Sequence, residues 1–448
     1  MFNRRQFAAA GIAALAFGGV AKVAAAGQPY RNQVKGYGDL LRDPASLLDL
    51  PAGFRYAVIS RFGESLDDGY AVPDKFDGMG CFALGQGRVA LVRNHELKPY
   101  DREVGPTRGL ARLERQLAAE PHFGRDRDGR VLPGGTSTIV WNLRTRRRER
   151  QFLSLAGTAV NCAGGTTPWN SWLSCEETVL DQREVGRSHG WLFEVQADHG
   201  GLAQPVPLTG MGRFRHEAAA LDPRTGIVYL TEDREDGLFY RFVPARKGVL
   251  AAGGRLQALA LVGRPGVDTR NWTDAWFRPG MVAAVQWLDL NGIDSPADDL
   301  RQRGHAQGAA IFARGEGIHF GENELFFTCT SGGKAKLGQI MRLVPGEAND
   351  RLSLFVESSD SSLFEYGDNL TVAPWGDLIV CEDRSDGETN HLRGVTPAGQ
   401  IYTFARLWMD TELAGACFSP DGGTMFVNAY SPGRTLAITG PWMERSDA

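Results

Sequence analysis

Three things are missing from this 448-residue sequence. It has no Cys-x-x-Cys pair, which removes the usual zinc-site spacing. It has no surplus of either charge. Lysine and arginine number 49 against 53 aspartates and glutamates, for a formal net charge of −4, whereas a nucleic-acid partner would favour a basic face. Nor has it a run of about 20 strongly apolar residues such as a stable bilayer span needs. Disorder is excluded from the other direction. Hydrophobic residues make up 42% of the chain, too many for an unfolded polymer, so its 56 glycines read as tight turns instead.

What is present begins with a targeting pattern. The paired arginines Arg4-Arg5 and the aromatic Phe7 precede an Ala/Gly-rich stretch from Ala8 to Val20, then Lys22 and the small run Ala24-Ala25-Ala26. This is the layout of a twin-arginine signal over residues 1–26, cleaved near Ala26-Gly27. The stretch is too short and too rich in Gly and Ala to anchor the chain. The expectation is a partnership with the Tat translocon during export and a periplasmic or secreted location. That route carries proteins already folded, often with a metal or cofactor inserted. The six cysteines, Cys81, Cys162, Cys175, Cys329, Cys381 and Cys417, are therefore as consistent with free or metal-bound thiols as with the disulfides usual outside the cytoplasm.

A repeat runs through the remainder. Six segments share a polar or small start, a turn rich in Pro, Gly and Asp, and apolar β-formers ending in acidic or polar residues. They run over 77–96, 161–176, 217–232, 316–330, 368–382 and 415–428. Asp222-Pro223-Arg224-Thr225-Gly226, Pro374-Trp375-Gly376-Asp377 and Pro420-Asp421-Gly422-Gly423 are hairpin loops. Each repeat is thus a hairpin returning to the rim where it started. Six of them predict an all-β fold, a six-bladed β-propeller with loop and helical insertions, seven or eight blades being the alternative. A single domain over 27–448 is expected, with insertions at 97–150 and around 264–308. Only 20 residues follow Asn428, so the β-like segment 54–60 is assigned to complete the last blade.

The hairpin starts read Asp77, Asn161, Glu217, Glu316, Asp368-Asn369 and Gly415. The returns add Glu96, Glu176, Glu232, Asp233, Glu382 and Asp383. Any one such acid could be a turn former bonded to local backbone. A ring of them around one channel repels itself, and bound cations relieve that cost; oxygen-rich rings suit calcium or another hard metal. Cys175 sits beside this ring, with Cys381 and Cys329 at matching places. Strand alternation sends a Cys and the following Glu to opposite sides, so not all three can face the channel. A thiolate ligand would imply a softer metal such as iron.

These motifs carry a resemblance. Asn94-His95-Glu96, the block from Asn161 through Cys175-Glu176-Glu177, the run Gly212-Arg213-Phe214-Arg215-His216-Glu217 and Arg314-Gly315-Glu316-Gly317 resemble the PhoX-type alkaline phosphatase family over most of residues 30–440. The resemblance implies a six-bladed propeller holding two oxo-bridged ferric ions (Fe3+) and up to three calcium ions (Ca2+). It implies that Cys175 ligates iron, that Glu217 and Glu316 are core metal ligands, and that Arg314 holds the substrate phosphate. Glu96, Glu176, Glu232 and Glu382 are its further candidate metal ligands, and Asn161 a polar contact there. The chain looks shorter than fuller members, and its last repeat offers Gly415 and Asn428 where others offer acids. The expected function is that of a monomeric, exported, metal-dependent phosphatase acting on organic phosphate esters. The alternatives are a calcium-dependent hydrolase of lactonase or phosphotriesterase type and a non-catalytic binding propeller stapled by calcium.

Overall fold

A computed structural model describes residues 30–445 apart from 348 and 385–388. The expected signal segment, 1–26, lies outside the described residues. Short alternating β-forming runs separated by Gly- and Asp-containing turns build antiparallel blades. The first blade is Phe76–Gly85, Arg88–His95, Gly134–Asn142 and Arg147–Thr158. The second has three strands, Asn161–Thr166, Ser171–Glu176 and Leu192–Gln196. The third is His216–Leu221, Val228–Glu232, Phe239–Pro244 and Gly254–Leu261, and the fourth Gly315–Phe320, Leu325–Cys329, Gln339–Val344 and Arg351–Glu357. Val282–Asp289 pairs with the outer strands of both, which joins these two blades into one nine-stranded sheet. The fifth is Gly367–Val372, Leu378–Glu382, His391–Val395 and Ile401–Leu407, widened by Leu48–Pro51 and Leu40–Leu41.

The sixth blade takes Leu413–Phe418, Thr424–Ala429 and Arg434–Thr439 from the end of the chain, and its outer strand, Arg55–Arg61, from the beginning. An aromatic cluster fastens this junction. Phe54 meets Trp442 edge-on at 4.7 Å between ring centroids, Phe404 lies 5.1 Å from both, and the Tyr37 hydroxyl donates to the Trp442 carbonyl at 2.7 Å. Phe404 and Trp442 are buried, each contributing about 1.5–3 kcal/mol, and Phe54 and Tyr37 are partly buried against them. Apolar faces of successive blades pack together, as where Leu173, Phe214, Leu230 and Tyr240 share one core.

The six innermost strands follow one another around a closed ring, the first packing on the second and the sixth back on the first. Their starts point to one mouth of the channel. The insertion expected over 97–150 is shorter than that. Residues 134–142 and 147–158 are the outer strands of the first blade, and their arginines (Arg144, Arg146, Arg147, Arg148, Arg150) belong to a β-hairpin rather than to a loop. The part that is inserted, 97–133, carries the helix Ala111–Leu117, and the other insertion carries Leu300–Ala306 as well as the bridging strand. No helix among the described residues is long and apolar enough to cross a membrane.

Candidate metal centre

All six inner strands are bulged in the same place. Two residues there face a single residue of the neighbouring strand, at 77–78, 162–163, 217–218, 316–317, 368–369 and 415–416. A bulge bends the strand and re-aims a side chain. The first bulge residues are Asp77, Cys162, Glu217, Glu316, Asp368 and Gly415. The second are Gly78, Ala163, Ala218, Gly317, Asn369 and Ala416, small except for one. Their size is set by how closely the inner strands approach. A Cβ on Gly78 would lie 2.5 Å from Ala163 Cα, and one on Gly317 2.6 Å from the Asp368 carbonyl oxygen. The exception accepts a hydrogen bond, from the Gly415 amide to Asn369 Oδ1 at 2.8 Å, and Gly415 itself has φ +62°.

Side chains of one blade clasp the bulge of another. Asn94 Nδ2 donates to the carbonyls of Cys162 (3.1 Å) and Ala163 (2.6 Å), Thr231 Oγ1 to that of Glu316 (2.6 Å), Thr328 Oγ1 to that of Asp368 (2.8 Å) and Asn428 Nδ2 to that of Asp77 (2.7 Å). The Cys162 thiol donates to the carbonyls of His216 and Glu217, each at 3.2 Å. The bulge backbone is therefore fixed around the ring, and the side chains it aims are pre-positioned.

A second circle comes from the residues just past the ends of the second strands: Glu96, Glu177, Asp233, Thr330, Asp383 and Tyr430. The residue before each faces the other way, as strand alternation requires. This moves the site by one residue in three repeats. Glu176 accepts from the amides of Ala159 (3.0 Å) and Gly190 (2.9 Å), and its carboxylate lies 2.6 Å from His189 Nδ1. Glu232 accepts from the Tyr240 hydroxyl at 2.7 Å and the Leu238 amide at 3.1 Å. Glu382 pairs with Arg393 Nε at 2.7 Å and His391 Nδ1 at 2.8 Å. These three glutamates tie strands together inside their blades. Asn161 precedes the bulge and bonds Thr158 and Ser174. Cys175 faces the bulge from the second strand and shares the apolar core of Leu173, Leu192 and Leu230 with Cys162, but burial alone raises its thiol, whereas Glu217, Glu177 and Asp77 add to burial in raising that of Cys162.

Of the expected metal ligands, then, Glu96, Glu217 and Glu316 converge on the ring. Cys175, Glu176, Glu232, Glu382 and Asn161 do not. Cys162 holds the ring position that the sequence assigned to its neighbour Asn161, Glu177 holds that assigned to Glu176, and Asp233 and Asp383, counted in the acidic ring but not among the expected ligands, stand where Glu232 and Glu382 were expected to. The acidic doublets Glu176-Glu177, Glu232-Asp233 and Glu382-Asp383 were the available signal. Glu412 lies outside the repeat altogether. It precedes the sixth inner strand, where the bulge offers only Gly415, and shares a hydrogen bond with Asp383.

The electrostatics are lopsided. One ligand oxygen each of Glu217, Glu316 and Asp368 lie within 4.8 Å of one another. Burial first, and then the surrounding carboxylates, push the acids of Asp77, Glu217, Glu316 and Glu412 far above their ordinary range. The same causes take Glu177 to about 8 and Asp368 to about 7. Asp77 Oδ1 is buried without a partner. The cation at the centre is Arg314, whose Nε donates to Asp233 at 2.8 Å and whose Nη2 donates to Glu316 at 2.6 Å. Glu316 chiefly, and then Asp233, raise its pKa further. Arg215 stands farther off, 3.5 Å from Glu177. Such a crowd of acids, with a thiol among them, fits multivalent cations: the oxygens suit hard metals and the sulfur a softer one.

The model of the family described as alkaline phosphatase PhoX matches residues 35–433. A solved structure of Pseudomonas fluorescens PhoX in complex with vanadate, a transition state analogue, is similar over 92% of this chain and 98% of that one, with TM-score 0.65 and 19% identity. A gluconolactonase of Xanthomonas campestris aligns over 90% of this chain and 100% of its own, at TM-score 0.43 and 13% identity. A comparison with curated proteins finds no match.

Proposed function

This chain belongs to the PhoX alkaline phosphatase family, and from that premise we propose that it hydrolyses organic phosphate monoesters at a metal cluster seated in the bulge ring. We further propose that it does so in the periplasm or outside the cell, after export through the twin-arginine route. The observation that carries the reading is the charge imbalance of the ring. Asp77, Glu96, Glu177, Glu217, Asp233, Glu316, Asp368, Asp383 and Glu412 outnumber the cations near them among the described residues, chiefly Arg314, Arg215, Arg384, Lys75 and Lys98. Left alone, that surface would reject a phosphate dianion.

The cations it would hold are calcium and iron, calcium on the carboxylates and iron at Cys162 with Glu217 and Glu316 beside it. The chemistry they supply is neutralisation of charge on the phosphoryl group and activation of the attacking oxygen. The residues do the rest. Arg314 is oriented by Asp233 and Glu316 before substrate arrives, and neither Nη1 donor has a partner among the described residues. Those donors are placed to bind a phosphate oxygen, with little entropy lost because the fork is already fixed. The clasps from Asn94, Thr231, Thr328 and Asn428 keep the ligand carboxylates from following the substrate, which is the rigidity that positioning requires.

The test is elemental analysis of the exported protein beside hydrolysis of 4-nitrophenyl phosphate. Calcium and iron in near-stoichiometric amounts, with activity lost on chelation, is the expected result. Folded, metal-free protein without phosphatase activity would refute the proposal.

A further inference from the structure

The run from Gly212 to Glu217 is anchored at nearly every side chain. Arg213 gives its Nε to the His189 carbonyl (2.7 Å), its Nη1 to that of Ser295 (3.2 Å), and its Nη2 to those of Val179 (2.5 Å) and Leu180 (3.1 Å). Phe214 stacks on Tyr240 at 4.4 Å, and its ring lies 3.6 Å from that of His216. His216 is held by the Gly212 carbonyl at 2.9 Å. Glu217 is the bulge residue. Arg215 alone is left out. Its Nε is buried without a partner, its guanidinium reaches Glu177 only at 3.5 Å, and its side chain is 39% exposed.

Its place is not arbitrary. Arg215 stands two residues before the bulge glutamate of the third blade, as Arg314 stands two residues before that of the fourth. The two inner strands are neighbours in the ring. Arg314 is engaged by two carboxylates at hydrogen-bond distance, whereas Arg215 has one outside it. A rigid segment thus presents an under-used guanidinium to the mouth of the site. A phosphate dianion has more acceptor lone pairs than the spare donors of one arginine can meet.

We propose that Arg215 is a second phosphate-binding residue, which closes on the phosphate opposite Arg314 once Glu177 is drawn to a cation. The proposal rests on the phosphatase reading above. Its test compares metal-replete wild type with Arg215→Ala and Arg215→Lys. Inorganic phosphate affinity is measured by calorimetry, KM and kcat with 4-nitrophenyl phosphate, and calcium and iron by elemental analysis. Loss of a charge-assisted hydrogen bond predicts phosphate affinity weaker by about ten- to a hundredfold in Arg215→Ala. KM should rise in step, kcat should change less, and metal content should hold. Arg215→Lys should recover part of the affinity, since it restores the charge but not the fork. Unchanged phosphate affinity in Arg215→Ala, an affinity loss seen only together with metal loss, or a wild type that binds no phosphate would each overturn it. A wild type that binds phosphate in an Arg215-dependent way but leaves the ester intact would support it while refuting the phosphatase reading.

Discussion

Glu382 and Asp383 are adjacent in sequence, and their replacement should fail in opposite ways. Glu382 and its partner Arg393 are both fully buried. Burial works against its ionisation, but Arg393 and then His391 outweigh it and hold the carboxyl below its usual range. With Glu382→Ala, the Arg393 guanidinium keeps, among the described residues, the Thr403 hydroxyl at 2.6 Å and the His391 ring at 3.3 Å. Removing one partner of a buried ion pair costs about 3–5 kcal/mol, a large share of the stability of a typical domain. Asp383→Asn removes a charge from a set of acids that repel one another, so chelated protein should be as stable as wild type or more so. What it should lose is metal. The assay is denaturant unfolding in chelator, together with elemental analysis of protein purified after export. Glu382→Ala unfolding like wild type in chelator but coming out metal-poor, or Asp383→Asn keeping its full metal content, would refute the opposite orientation of the two side chains.

Three further outcomes follow from the same geometry. Cys162→Ser should remove iron while Cys175→Ser leaves metal content near wild type, read by elemental analysis and by any thiolate-to-ferric colour of the protein. Chelated protein should lose stability as pH rises from about 4 to 8, followed by thermal unfolding. Burial and neighbouring carboxylates hold the pKa values of Asp77, Glu217, Glu316 and Glu412 above their unfolded ones, and take Asp368 to about 7 and Glu177 to about 8. The fold therefore holds extra protons through that window, and each one costs about 1.4 kcal/mol per pH unit; metal-replete protein should not show this slope. Gly317→Ala should prevent correct closure of the ring, since its Cβ would meet backbone atoms of residues 368–370 at 2.6–2.7 Å; soluble expression and circular dichroism would report it, and wild-type stability would contradict it.

Much of the architecture was legible in the sequence because turns and β-forming runs are local signals. The hairpins recur where the six inner pairs lie, and 54–60 reads as a strand by the same pattern that pairs Arg55–Arg61 with Arg434–Thr439. The inner ring was also close to hand. Asp77, Glu217, Glu316, Asp368 and Gly415 are bulge residues in the structure, and the second repeat was misplaced by one, at Asn161 instead of Cys162. That single step hides Glu177. Counting from Asn161 selects Glu176, while counting from Cys162 selects Glu177. A bulge adds a residue that strict alternation does not foresee, and no local composition marks it. The starts of the third and fifth repeats are right, and there the acidic doublets leave two candidates each; Glu232 and Glu382 serve Tyr240 and Arg393. Those partners lie on later strands, so only the folded blade shows that these acids are already spent. Glu412 escaped because it belongs to no repeat, and the missing acid at Gly415 was read as a gap in the ring.

On the function proposed above, the bulge ring, rather than the glutamates one residue away, holds the metals. The most direct measurement is anomalous diffraction from crystals of protein purified after export, collected on both sides of the iron absorption edge. An iron peak is expected beside Cys162, Glu217 and Glu316, with calcium density among Asp77, Glu96, Glu177, Asp368 and Asp383. Anomalous peaks at Cys175, Glu176 or Glu382, or a ring free of them in active protein, would contradict it.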